Sequence, residues 1–113
     1  MVPIHFTTGT STPTWTQIGS FSEFCGVVAS NAEAATYYIR ITWKGNQNNA
    51  PTAGIAPTGP IFTIPISTTF VGLILQRTLV QLGPMYYMVS GAAGDADATA
   101  LGTGGDVITL LVE

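Results

Sequence analysis

Between positions 36 and 44 apolar and polar side chains alternate strictly, with Tyr37, Ile39, Ile41 and Trp43 on one side and Tyr38, Arg40, Thr42 and Lys44 on the other. Side chains two residues apart share a face of a β-strand, so this stretch predicts a strand with one face on a core and the other in water. Short runs of aromatic and β-branched residues recur at 4–8, 15–18, 23–29, 61–64, 70–75, 85–90 and 106–112, separated by Gly, Pro, Asn and Ser clusters. This spacing predicts an all-β fold of about eight short antiparallel strands, a β-sandwich of jelly-roll or Greek-key type. One domain over residues 1–113 is expected, because a second core would have too little apolar surface to stand alone. A helical signal exists only at Asn31-Ala32-Glu33-Ala34-Ala35, where a capping residue precedes good helix formers. Strand formers follow within a turn, so at most a single turn is expected there.

Three connections stand out. Gly45 to Pro60 carries Asn46, Asn48, Asn49, Pro51, Pro57 and Gly59, residues that resist regular pairing and suit a Greek-key crossover. Gly91 to Gly105 is rich in small residues and is expected to be mobile in isolation. Residues 1–16 could form an N-terminal arm, its polar part running over 7–16 with Gly9 and Pro13.

Two strands break the alternation. In the run at 70–75, Val71, Leu73 and Leu75 lie on one side and Phe70 with Ile74 on the other. In the last run, Val107 and Leu111 oppose Ile108, Leu110 and Val112, and only Thr109 interrupts. A sandwich sheet normally buries one face, so a strand apolar on both needs cover from a loop, an arm or another subunit. The pattern leaves the chain's own loops and an intermolecular contact equally open. In the second case Phe70, Ile74, Ile108 and Leu110 are the expected interface residues.

Composition sharpens this picture. Charged residues make up 8% of the chain, against roughly 25% in ordinary soluble domains. With 46% hydrophobic residues and a mean hydropathy of +0.39, it is far from the composition of disordered chains. The apolar runs are too short to span a bilayer. A net charge of -3, with Arg40, Lys44 and Arg77 as the fixed cations, cannot supply the basic surface that nucleic acid or an anionic membrane attracts. Met1-Val2-Pro3-Ile4-His5 shows no basic stretch followed by an apolar one, so synthesis in a cytoplasm without a secretory signal is expected. Cys25, the one cysteine, is expected to be buried as a small apolar side chain.

Candidate chemistry is sparse. His5 is the one histidine, and no Gly-x-Ser-x-Gly elbow or cysteine-activating context accompanies it, so no catalytic role is expected. A tetrahedral metal site has too few His and Cys donors, and no cofactor is expected. Asp95 and Asp97, with Asp106 beyond, could bind calcium weakly, but acids on a solvated loop account for them more simply. Gly102-Thr103-Gly104-Gly105 leads into a strand, unlike a phosphate loop, which opens a helix. Trp43 shares the alternation of core positions, whereas Trp15, between Thr14 and Thr16, is the more exposed aromatic and a candidate sugar platform.

Short strands, Thr/Gly/Ala-rich loops, scarce charge and two-faced strands together resemble the small structural proteins of bacteriophage particles, of the capsid decoration or cement type. The resemblance is one of overall character along the whole chain. It implies a non-enzymatic β-sandwich that forms a homo-oligomer, often a trimer, and reinforces the shell by binding the major capsid protein. The acidic balance places such a protein on the capsid exterior, away from the packed genome. The 7–16 arm or the loops near Asn46 and Asp95 would then meet the shell. The alternative is a receptor- or carbohydrate-binding module of a phage tail fibre or spike, using Trp15 and loop tyrosines; an accessory domain of an enzyme is a third reading.

Overall fold

The computed structural model describes residues 1–19, 23–44, 50–81 and 83–113. It contains eight strands: β1 (Val2–Thr7), β2 (Thr16–Gly19), β3 (Glu23–Ala29), β4 (Tyr37–Trp43), β5 (Ile61–Ile66), β6 (Gly72–Val80), β7 (Met85–Ser90) and β8 (Val107–Val112). They form two four-stranded antiparallel sheets, ordered β1-β8-β3-β6 and β2-β7-β4-β5. Pairing the first strand with the last, the second with the seventh, the third with the sixth and the fourth with the fifth is the winding of a jelly roll. The predicted all-β sandwich is therefore the observed fold, and each predicted strand is present.

Local chemistry explains where boundaries moved. β6 runs past the predicted end at 75 through Gln76, Arg77 and Thr78 to Val80, because Leu79 and Val80 resume pairing with β3 after the polar interruption. β5 continues through Pro65, which an edge strand accommodates because its missing donor can face away from the ladder. At 31–35 no helix forms. The Asn31 side chain accepts from Glu33 N at 2.6 Å and donates to Ala35 O at 3.0 Å and Ile66 O at 2.8 Å, closing a local turn instead. Of the stretch proposed as an arm, residues 2–7 are strand β1 in full register with β8, and residues 8–15 cross from one sheet to the other.

The core lies between the inner faces. Phe24, Val27, Ile108, Leu110 and Val112 from the first sheet meet Tyr37, Ile39, Ile41, Trp43, Ile64, Ile66 and Met85 from the second. Trp43 and Cys25 are buried as expected. Ile108 and Leu110 correct the sequence expectation, for both are fully buried core residues and not part of an outer interface. Their register opposite Phe6 and Ile4 puts them on the inward face, and the outward face of β8 is Val107, Thr109 and Leu111. The choice follows from pattern strength: Ile108, Leu110 and Val112 are uniformly apolar, whereas Thr109 breaks the other side.

β3 carries a bulge at Cys25, where the register slips against both neighbours. Gly26 follows because a Cβ there would sit 2.4 Å from the Leu73 carbonyl. Any side chain at this point would push β6 away from β3.

Candidate functional site

The two sheets treat their outer faces differently. On the first sheet the register turns Pro3, His5 and Thr7 of β1, Val107, Thr109 and Leu111 of β8, Val28 of β3 and Ile74 of β6 outward. Val71 is 77% exposed, Ile74 60%, Val28 49% and Val107 42%. A shallow apolar hollow of about 340 Å³ runs over Val28, Phe70, Val71, Val107 and Thr109. Phe70 is half-buried, with part of its ring against the core. The one ionisable side chain among these outward residues is His5, hydrogen-bonded through Nδ1 to Thr109 Oγ1 at 2.8 Å. Of the four residues expected at an interface, Ile74 and part of Phe70 are available. Val28, Val71 and Val107 complete the patch. Val28 was legible as the outward neighbour of Val27, but the bulge at Cys25 disguises which way β3 alternates.

On the second sheet the outer face is covered. Arg40 and Thr42, expected to meet water, are fully buried, as is Met88 nearly so. Arg40 is covered by the 91–99 connection, whereas Thr42 Oγ1 donates to Pro60 O at 2.8 Å, in the connection that precedes β5. Arg40 Nη1 donates to Gly94 O, and Nη2 donates to Ser90 Oγ at 2.5 Å, to Asp97 O, and to Met88 Sδ at 3.4 Å. Gly91 N to Thr99 O, at 2.9 Å, and Asp97 N to Gly94 O, at 2.9 Å, close the loop on itself. Burial lowers Arg40 from its ordinary value, and the nearby Asp97 and Asp95 carboxylates oppose that shift. Burial pushes Asp97 up, but hydrogen bonds from Thr99, Ser90 and Ala92 more than offset it and leave the carboxyl below its ordinary value. The segment expected to be mobile is thus pinned by a guanidinium that needs carbonyl acceptors once water is excluded.

The calcium candidate does not assemble. Asp95 is exposed, the two Asp97 oxygens accept from Thr99 N and Thr99 Oγ1, and Asp106 lies elsewhere in a knot of its own. In that knot Asp106 Oδ2 accepts from Thr8 Oγ1 at 2.6 Å and Oδ1 from Ala32 N at 2.6 Å, while Thr8 Oγ1 accepts from Asp106 N at 3.0 Å. Glu33 accepts from Thr103 N and Gly104 N at 2.8 and 2.9 Å. Gly104 and Gly105, with φ of 72° and 79°, supply the left-handed turn that aims those amides. Burial would raise Asp106, but its hydrogen bonds with Thr8, Glu33 and Ala32 hold the carboxyl below its ordinary value. Tyr37, whose hydroxyl donates to Ser30 O at 2.6 Å, is pushed up by burial, with Asp106 and Glu33 adding to the effect. The knot ties three connections together at one end of the sandwich.

Two hollows flank that end. One, of about 190 Å³, lies between residues 6–16 and Tyr87; the other, of about 260 Å³, lies between residues 33–37 and 99–103. Leu101 lines both. Trp15 is half-buried and lines neither, and Asn46 lies outside the described residues.

Among the described residues, Glu23, Cys25 and Glu113 bring donor atoms within 4.8 Å of one another. The Cys25 thiol is raised by burial and then by the two glutamates, the reverse of what a nucleophile or a metal-bound thiolate requires. The Met1 ammonium lies 3.3 Å from Glu113 Oε1. A scan against models of known protein families and comparisons with curated proteins and with solved structures find no match to this chain.

Proposed function

We propose that this chain is a non-enzymatic structural protein of a virus particle, of the capsid decoration or cement type, acting through protein-protein contacts. The observation that carries this reading is the bare apolar face of the first sheet around Val28, Val71, Ile74 and Val107. In water such a patch invites a partner. Covering each Val or Ile is worth roughly 1.5–3 kcal/mol when burial is complete, so a few per subunit suffice to drive association. The occupant proposed is a second copy of the chain, within a trimer, because the patch around Val28, Val71, Ile74 and Val107 carries no fixed charge that a like surface would repel; the Glu23 and Glu113 carboxylates lie at the opposite end of β3 and β8.

The loops then meet the major capsid protein. With three Lys and Arg residues and a net charge of -3, the chain suits the capsid exterior better than a surface lining nucleic acid. The jelly-roll winding is compatible with this role, since capsid domains use it, though lectins and cupins do as well.

The test is the native mass of the assembly, by native mass spectrometry and analytical ultracentrifugation. An oligomer is expected for the unmodified protein, and monomers for a Val71→Asp, Ile74→Asp double variant. An unmodified chain that stays monomeric at high concentration and does not sediment with capsid shells assembled without it overturns the proposal.

A further inference from the structure

The smaller hollow at the loop end has a chemistry that the shell-binding reading does not use. It is lined by Phe6 of β1 and Tyr87 of β7, whose rings stack on each other with centroids 4.3 Å apart and planes 22° from parallel. Burial raises the Tyr87 hydroxyl above its ordinary value, and the neighbouring Thr16 side chain opposes that shift. Residues of the 9–14 segment line it too, among them the exposed Ser11, Thr12 and Thr14 with their hydroxyls. These three hydroxyls make no hydrogen bond to other described residues. Among the described residues no charged side chain lines the space.

Each property narrows the ligand. A charged group would enter without a counter-charge and lose its hydration uncompensated. A purely apolar group would strip water from the hydroxyls and leave them unpaired. A neutral ring with C–H groups and a rim of hydroxyls satisfies both, because the stacked aromatic pair offers apolar contact to the C–H groups while each Ser or Thr both donates and accepts. The volume of about 190 Å³ equals roughly six waters at about 30 Å³ each, the scale of a single sugar ring and below that of most drug-sized ligands.

We propose that this hollow binds one neutral monosaccharide ring, with the stacked Phe6 and Tyr87 as its apolar contact and Ser11, Thr12 and Thr14 as hydrogen-bonding partners. The sugar platform expected at Trp15 is replaced by this pair, since Trp15 does not line the hollow. The hollow shares no lining residue with the apolar patch around Val28, Phe70, Val71 and Val107, although its Thr7 pairs with Val107, so a sugar bound there does not require the assembly proposed above. With so few contacts the dissociation constant is on the order of 1 mM.

The test is a titration of ¹⁵N-labelled protein with the methyl glycosides of glucose, galactose, mannose, fucose and N-acetylglucosamine, followed by amide chemical shifts. At least one should shift the resonances of residues 6–16 and 87–89 saturably, whereas glycerol and methyl glucuronide should not do so at equal concentration. A Ser11→Ala, Thr12→Val double variant should keep its melting temperature and bind at least fivefold more weakly. Silence from every glycoside at tens of millimolar, shifts that map elsewhere, or full binding by the double variant each overturns the assignment. A monomer that binds sugar removes the shell reading and leaves this one, and an oligomer that binds none does the reverse.

Discussion

The outer faces of the two sheets make an instructive pair. On the second sheet, β4 presents Tyr38, Arg40 and Thr42 outward, and the protein covers Arg40 and Thr42 completely. On the first, β3, β6 and β8 present Val28, Ile74 and Val107, and the protein leaves them bare. Cover went to the polar strand because a guanidinium can hold backbone carbonyls in place one hydrogen bond at a time, whereas a row of β-branched side chains offers a loop nothing directional. Hydrophobic attraction has no preferred geometry, so a small-residue loop gains less by lying on Val and Ile than by capping an arginine. An apolar face left open by the chain itself is therefore available to another molecule.

Breaking the covered side should have the largest effect. Arg40→Ala leaves the Gly94 and Asp97 carbonyls without their donors beneath the loop and opens space beside Met88, and a loss of about 3–5 kcal/mol is expected by chemical denaturation. The thermal midpoint should fall by more than about 10 °C, and hydrogen exchange should accelerate across residues 91–99 first. Arg40→Lys should recover part of this loss, since an ammonium cannot reproduce the planar fork.

Next in size is a contrast between the two sides of β8 and its neighbours. Leu110→Ala should cost about 2–5 kcal/mol, as a core cavity does. Ile74→Ala, on a strand with equally apolar sequence, should change the monomer by no more than about 0.5 kcal/mol and act instead on native mass.

A smaller effect belongs to the knot that borders both faces. The Asp106 carboxyl lies below its ordinary value in the folded protein, so its contribution is fully present above the unfolded value of about 3.9 and is lost as pH falls through the folded value. Stability should therefore drop on the acid side of about pH 4, and Asp106→Asn should flatten that limb while costing about 1–3 kcal/mol at neutral pH. A denaturation series from neutral to acid pH reads both. An acid limb unchanged in the variant would assign the acid sensitivity to another carboxylate.

The strand inventory was legible because strands depend on nearest neighbours: Tyr37, Ile39, Ile41 and Trp43 declare β4 without help from the rest of the chain. Cys25 and Trp43 were placed correctly in the interior by the same local logic. Arg40 was not, because the groups that bury it, Gly94 and Asp97, lie 54 and 57 residues away. Asp106 was read as part of a loop cluster, while its partner Thr8 is 98 residues distant. Ile108 and Leu110 were assigned to the wrong face because a strand apolar on both sides does not state its register, which only pairing with Phe6 and Ile4 decides. The hollow over Phe6 and Tyr87 was likewise out of reach, since its rings come from β1 and β7 and nothing local to either signals the other.

The position of β8 between β1 and β3 has a consequence in time. It emerges last of the eight strands from a ribosome, yet it is an inner strand of its sheet, and Val2 must wait for Val112. The second sheet can begin earlier, since β4 and β5 are neighbours in sequence. Closing the first sheet joins residues separated by nearly the entire chain, the kind of pairing that slows folding. Until it closes, the apolar flanks of β1 and β3 remain open, and the nascent protein is most vulnerable to mispairing in that interval.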